Sequence, residues 1–190
     1  MLNLVLFGPP GAGKGTQSER IRDHYGLIHL STGDIFRANI KGETELGKEA
    51  KSYIDKGELV PDSLTIKLLE SEVDKHQDAN GYIFDGFPRT VNQAEALDKF
   101  LARKQTEVTK MVALEVEEEE LIKRLLERGK ESGRADDQNE GIIRNRIEEY
   151  QKKTAPLKDY YRNQDKFESI DGVGEIDEIT NRLYHAIEKK

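Results

Sequence analysis

The sequence predicts an α/β protein, a parallel sheet wound on both faces by helices, and three observations predict it. Short apolar runs recur at residues 2–7, 82–85, 110–116 and 167–170, each brief enough to be a strand buried on both faces. Stretches of helical period alternate with them, the arrangement that parallel strands need for their crossovers. Glycines punctuate the junctions, most densely at Gly8, Gly11, Gly13 and Gly15 directly after the first run.

The first element is an almost unbroken apolar strand over Leu2, Leu4, Val5, Leu6 and Phe7. The glycine-rich segment GPPGAGKGT follows and leads into a helix from Lys14 to Tyr25, with Gly26 as its left-handed cap. Strand, glycine loop, lysine and helix in this order form a phosphate cradle. The glycines let backbone N–H groups turn inward, the helix N-terminus adds positive dipole, and Lys14 adds a point charge. In the pattern G-x-x-x-x-G-K-[ST] counted from Gly8, the last position falls on Gly15 and the hydroxyl comes one residue later, at Thr16. Direct coordination of magnesium by that hydroxyl is therefore displaced.

Residues 27–30 are apolar but too few to assign. Ser31 to Asp34 open a helix carrying Ile35, Phe36 and Ile40 and closed at Gly42. A second starts at Thr44 or Glu45 and closes at Gly57, and Pro61-Asp62-Ser63 cap a third with Ile66, Leu68, Leu69 and Val73 as its apolar positions. This succession of helices reads as a lobe inserted between two core strands. The strand at 82–85 ends in Gly86-Phe87-Pro88-Arg89, and Thr90 with Gln93 has capping-box spacing for the next helix. After the strand at 110–116, four acids at 117–120 occupy the first turn of a helix, where its dipole favours them. Residues 129–138 form a polar excursion. A long helix from about Glu140 should break near Pro156, which lacks a donor, before a last strand at 167–170 and a last helix at 175–187.

Composition narrows the function. The 190 residues suit one core with a small inserted lobe, and the absence of cysteine excludes disulfides and thiolate zinc sites. No basic segment precedes the first apolar run and no stretch approaches membrane-spanning length, so the expectation is a soluble cytoplasmic protein with no membrane partner. A formal charge of −7 argues against nucleic acid as a partner. It also means that polyphosphates must be drawn in by local arginines. Arg124 and Arg128 share a helix face, Arg134 lies in the polar excursion, Arg144 and Arg146 begin the long helix, and Arg37 and Arg89 come from two further segments. Asp85, closing a strand beside the glycine loop, is placed to hold magnesium through water. His24, His29, His76 and His185 show no ligand or dyad spacing and read as surface or helix-end residues.

The motifs GPPGAGKGTQ, STGDIFR, GELVPD, FDGFPRT with Gln93, GRADDQ and TAPL with its following tyrosines occur in this order over nearly the whole chain. In this set the sequence resembles the adenylate kinases among the nucleoside monophosphate kinases. The resemblance implies a three-layer P-loop fold: a five-stranded parallel sheet in a single domain over 1–190, with a nucleoside-monophosphate-binding insertion at 31–60 and a short lid at 127–137. It implies a monomeric phosphotransferase for ATP + AMP ⇌ 2 ADP, serving adenine nucleotide homeostasis, with Mg2+ carried by ATP and ATP, AMP and ADP as its small-molecule partners. By resemblance, Gly11, Ala12, Gly13, Lys14, Gly15 and Thr16 hold the ATP phosphates, Arg124 and Arg128 face ATP, and Gly174 offers backbone to adenine. Thr32, Arg37, Glu58, Leu59, Val60, Gly86, Phe87, Pro88, Arg89 and Gln93 form the AMP site. Arg134 and Arg146 bridge AMP and the transferring group, and Lys14, Asp85, Arg89, Arg128, Arg134 and Arg146 are the catalytic set.

Two departures qualify the match. The lid is the short form, without the longer insertion that often carries zinc, so no zinc is expected. Between Asp137 and Tyr150 the chain is one residue longer than several relatives, and aligning backwards from Tyr150 selects Arg146 over Arg144. A uridylate–cytidylate kinase shares the same motifs. A nucleotide-gated switch would want a guanine motif such as N-K-x-D, absent here, and has no use for the arginines. Gln93 has two competing uses: reaching back to cap its helix, or pairing with an adenine edge through its donor and acceptor.

Overall fold

In the computed structural model, which describes residues 1–189, five strands form one sheet. They are β1 (Leu2–Phe7), β2 (Ile28–Ser31), β3 (Gly81–Asp85), β4 (Lys110–Glu115) and β5 (Phe167–Asp171). Their spatial order is β2-β3-β1-β4-β5 and every pairing is parallel. Strand order therefore runs outward in both directions from β1, which puts a crevice beyond its carboxyl end, where open α/β sheets bind ligands.

Alternate side chains of the strands feed two cores. On one face Val5, Phe7, Phe84, Met111 and Ala113 pack with Leu97 and Leu101 of α5 (Val91–Arg103) and with Leu157 and Tyr161 of α8 (Leu157–Arg162). On the other, Leu4, Leu6, Ile83, Val112 and Leu114 meet Ile21 of α1 (Lys14–Tyr25), Leu121 and Leu125 of α6 (Glu118–Ser132), and Leu183 of α9 (Ile176–Glu188). Burial on both faces is why β1, β3 and β4 read as continuous apolar runs rather than alternating ones. A third, small core of Phe36, Ala50 and Val60 belongs to α2 (Thr32–Lys41), α3 (Glu45–Ile54) and the segment after them, with Leu64 and Leu68 of α4 (Asp62–Asp74) against it. These helices follow β2 and precede β3, so they hang over the carboxyl end of the sheet.

Three local features differ from the sequence expectations. The apolar segment at 27–30, too short to assign from sequence, lies in an edge strand, Ile28–Ser31, paired with β3 from Ile28↔Tyr82 to Ser31↔Asp85. Four residues carry too little period to be read alone, and β3 supplies the partner. The expected break at Pro156 begins earlier: α7 (Glu140–Glu149) passes into a π-helical turn, Tyr150–Thr154, before α8. The Ala155 N–H donates to the Tyr150 carbonyl at 2.7 Å, a five-residue step that widens the helix ahead of the proline ring. Asp62 does not cap α4 through its side chain; Pro61 is the N-cap and the carboxylate points elsewhere.

Candidate active site

The glycine loop leaves β1 between β3 and β4 and enters α1 at Gly13, whose φ of 96° is left-handed. No side chain caps this helix start, so its first N–H groups are free to meet an anion. A Cβ at Gly13 would meet nothing within 4 Å, so it is the backbone conformation that demands glycine there. Lys14 folds back over the loop, its Nζ donating to the Gly8 carbonyl at 2.8 Å and the Pro9 carbonyl at 3.1 Å. Burial lowers the Lys14 pKa to about 8; Asp85 opposes the shift, and Arg89, Arg146 and Arg128 add to it.

Above the loop lies a cleft of about 370 Å³. Seven cations line it, Lys14, Arg37, Arg89, Arg124, Arg128, Arg134 and Arg146, against five acids. The cleft is thus locally positive in a chain of net charge −7. Arg89 is held by its own turn, Nε donating to the Gly86 carbonyl at 2.8 Å. Burial, with Arg146 adding and Asp85 opposing, brings its pKa down to about 10. Arg37 pairs with Asp34 at 2.5 Å, and Arg134 lies 3.8 Å from the same carboxylate. Arg128 grips Asp137 with two donors at 2.6 and 3.0 Å, and Arg146 reaches the same carboxylate at 2.6 Å and Asp136 at 3.3 Å. The Asp137 side chain is fully buried. Burial pushes its carboxyl up, but Arg128 and Arg146 outweigh burial and hold it below the usual range. Arg124 is oriented by Glu120 at 2.9 Å.

Arg146 lies on the cleft wall and Arg144 off it, paired with Glu140 at 2.8 Å and Glu118 at 3.2 Å. Gly57 explains how Arg146 lies so close to the insertion: a Cβ there would sit 2.8 Å from Arg146 Cγ. Glu58, Leu59 and Val60 continue that wall, and Thr32, whose hydroxyl donates to the Gly86 carbonyl at 3.0 Å, adjoins Gly86, Phe87 and Pro88 on the other side. Gly11, Gly13, Gly15 and Thr16 form the cleft floor. Ala12 and Gly174 do not touch this space; they line a second cavity of about 300 Å³ beside Thr16 and Arg124, which borders both.

Gln93 is 2 % exposed and faces the cleft. Its N–H is accepted by the Thr90 hydroxyl at 3.2 Å, so Thr90 caps α5. The reciprocal arm of the capping box is not made. Gln93 Oε1 instead accepts from the Arg89 N–H at 2.7 Å and Nε2 donates to Asp62 at 2.7 Å. Asp62 was invisible as a site residue because its role depends on α5, 31 positions away. His29 corrects another expectation: it is on β2, largely buried, with Nε2 3.1 Å from Asp85 Oδ2. Only the register of β2 against β3 makes that pair legible.

Among the described residues no group of three or more His, Cys, Asp or Glu is arranged to hold a metal ion by itself. Asp85 and Thr16 nonetheless offer oxygens on the cleft beside Lys14, a donor set that fits a hard divalent cation bringing its own phosphate and water ligands. No helix among the described residues is long and apolar enough to cross a membrane.

Comparison with known proteins shows the family. A family model described as adenylate kinase matches residues 6–166. A protein of that name from Flavobacterium psychrophilum is 64% identical over 187 residues, 98% of each chain. Its namesake from Flavobacterium johnsoniae is 58% identical over 188 residues, 99% of each chain. Another from Bacteroides thetaiotaomicron is 54% identical over 189 residues, with both chains covered completely.

Proposed function

The chain belongs to the adenylate kinase family and is a phosphotransferase for ATP + AMP ⇌ 2 ADP, and from that premise we propose that the cleft, with the adjoining cavity that Gly174 lines, holds both nucleotides end to end. The observation that carries this reading is the convergence of seven cations from α1, α2, the β3–α5 turn, α6, the α6–α7 connection and α7 on one space above a phosphate-binding loop.

The acceptor needs no base. An AMP phosphate has a second pKa of about 6, so it is largely a dianion at neutral pH and is itself the nucleophile. With a loose transition state, positioning and charge neutralisation do most of the work. The Gly11–Thr16 loop and the open N–H groups of α1 take the ATP phosphates, and Lys14 leaves its two carbonyl partners for the transferring group. Arg37 and Arg89 hold the AMP phosphate. Arg128 faces the ATP phosphates, and Arg134 and Arg146 bridge AMP and the transferring group, where planar forks suit phosphoryl oxygens. Arg124 and Gly174 serve the ATP adenosine side, and Thr32, Glu58, Leu59, Val60, Gly86, Phe87, Pro88 and Gln93 enclose AMP. Asp85 and Thr16 would hold a magnesium ion brought by ATP, and the ion would supply neutralisation of the phosphate charge. The insertion at 31–60 and the lid at 127–137 shield the site from water, which would otherwise accept the phosphoryl group.

The same reading makes the protein a cytoplasmic monomer without zinc, nucleic acid or membrane partners, supported by its acidity and lack of cysteine. A coupled assay of ATP with each monophosphate tests the base choice. AMP should exceed UMP and CMP by roughly 10²-fold or more in kcat/KM, because a pyrimidine leaves the buried Gln93 amide partly unpaired. Gln93→Ala should erode that preference through weaker AMP use. Comparable activity on UMP would contradict the assignment.

A further inference from the structure

A primary amide reads a base only if its donor and acceptor ends are the right way round. Adenine presents a donor (the 6-amino group) next to an acceptor (N1); hypoxanthine presents the reverse, an acceptor at O6 and a donor at N1. An amide that is free to flip pairs with either. Gln93 is not free to flip. Its Oε1 accepts from the Arg89 backbone N–H at 2.7 Å, a group that can only donate. Its Nε2 donates to Asp62 Oδ1 at 2.7 Å, and a carboxylate can only accept. Asp62 is itself held, with the Thr90 hydroxyl at 3.2 Å and Asn92 Nδ2 at 3.0 Å both donating to Oδ2. All four partners lie outside the set of residues that would touch the base, apart from Arg89, whose main chain alone is used here.

A glutamine amide has two N–H donors and two oxygen lone pairs. Each end spends one on this clamp, and no further partner engages either end among the described residues. One N–H and one lone pair remain, on a side chain that lines the cleft. Reversing the amide would set Nε2 against the Arg89 N–H and Oε1 against the Asp62 carboxylate, two repulsive contacts in a site 2 % exposed.

We infer that Asp62 is a positioning residue for base selection: it fixes the sense of the Gln93 amide, so that the free edge matches adenine and opposes hypoxanthine. The inference rests on Gln93 being the residue that reads the base. It assigns to the first residue of α4 a part in specificity that no contact with the nucleotide would reveal.

The test compares kcat/KM for AMP and IMP in the full-length wild type, Asp62→Asn, Asp62→Ala, Gln93→Ala and the Asp62→Asn/Gln93→Ala double variant, each checked for native circular dichroism. Asparagine keeps the size of the side chain but can donate as well as accept, so one lock on the amide is lost. The AMP:IMP ratio should fall about tenfold in Asp62→Asn and in Asp62→Ala, the scale of one hydrogen bond to a charged group. The KM for ATP should stay within about twofold. In the Gln93→Ala background, Asp62→Asn should leave the ratio where Gln93→Ala alone puts it. A merely structural Asp62 would lower AMP and IMP use equally and leave the ratio unchanged; that result, with Gln93→Ala still collapsing the ratio, overturns the inference and spares the base reading. If Gln93→Ala itself leaves the ratio untouched, the base reading falls and the inference with it.

Discussion

Lys14 shows how a single residue's chemistry is set by burial. Its ammonium rests on two backbone carbonyls and its pKa is drawn down from 10.5 to about 8 by burial, against the pull of Asp85. Phosphate oxygens in their place would push that pKa back up, so nucleotide binding near pH 8.5 should take up a proton. Isothermal titration of ATP in two buffers of different ionisation enthalpy reads this directly: the observed heats should differ, and Lys14→Met should abolish the difference. Lys14→Met and Arg146→Ala should each lower turnover by roughly 10²–10³-fold, the size of one preorganised charge donor. Arg146→Lys should also be damaging, because an ammonium cannot reproduce the guanidinium fork, whereas Arg144→Ala, on the exposed Glu140 and Glu118 pairs, should be nearly silent. At this scale the glycine loop and the arginines were legible in the sequence, since their residue types and spacing carry the chemistry. Asp62 and His29 were not, because each acquires its meaning only from a partner brought in by another element.

At the scale of elements, the segment from α6 to α7 is tied together by Asp137. Its buried carboxylate joins Arg128 of α6 to Arg146 of α7. The folded carboxyl is held below its ordinary 3.8, so this contribution to stability is present above that pH and is lost as pH falls through the lowered value. Asp137→Asn should therefore destabilise by roughly 3–5 kcal/mol at pH 7, the cost of breaking a buried pair from one side. The difference between variant and wild type should shrink near pH 3, as measured by denaturant unfolding; an equal gap at both values would contradict the ion-pair account. Because the segment at 127–137 is packed by these charges, chelators should leave it folded and elemental analysis should find no stoichiometric zinc. Helices were legible from their periods and central strands from their continuous apolar runs. The edge strand β2 and the π-turn at Tyr150–Thr154 were not: the first needs β3 to exist, and the second depends on how the chain anticipates Pro156.

Over the whole molecule, an acidic chain attracts polyanions by concentrating arginine at the carboxyl end of its sheet. The order β2-β3-β1-β4-β5 brings residues from six separate segments to that one edge. Residues 31–60 meet the far wall of the cleft through Arg134 of the α6–α7 connection, 3.8 Å from Asp34, and through Asn145 of α7, whose Nδ2 donates to the Lys56 carbonyl at 2.6 Å. Exposed contacts of this kind are worth about 0–1 kcal/mol each, too little to hold two lobes shut. Ligand-free protein in solution should therefore open, and small-angle scattering should show contraction at saturating nucleotide. The claim that one cleft takes both substrates is tested most directly with a bisubstrate analogue, two adenosines joined by a polyphosphate. Calorimetry should find one analogue bound per chain, with ATP and AMP each displaced by it. Two analogues per chain, or AMP binding undiminished beside one, would contradict the account.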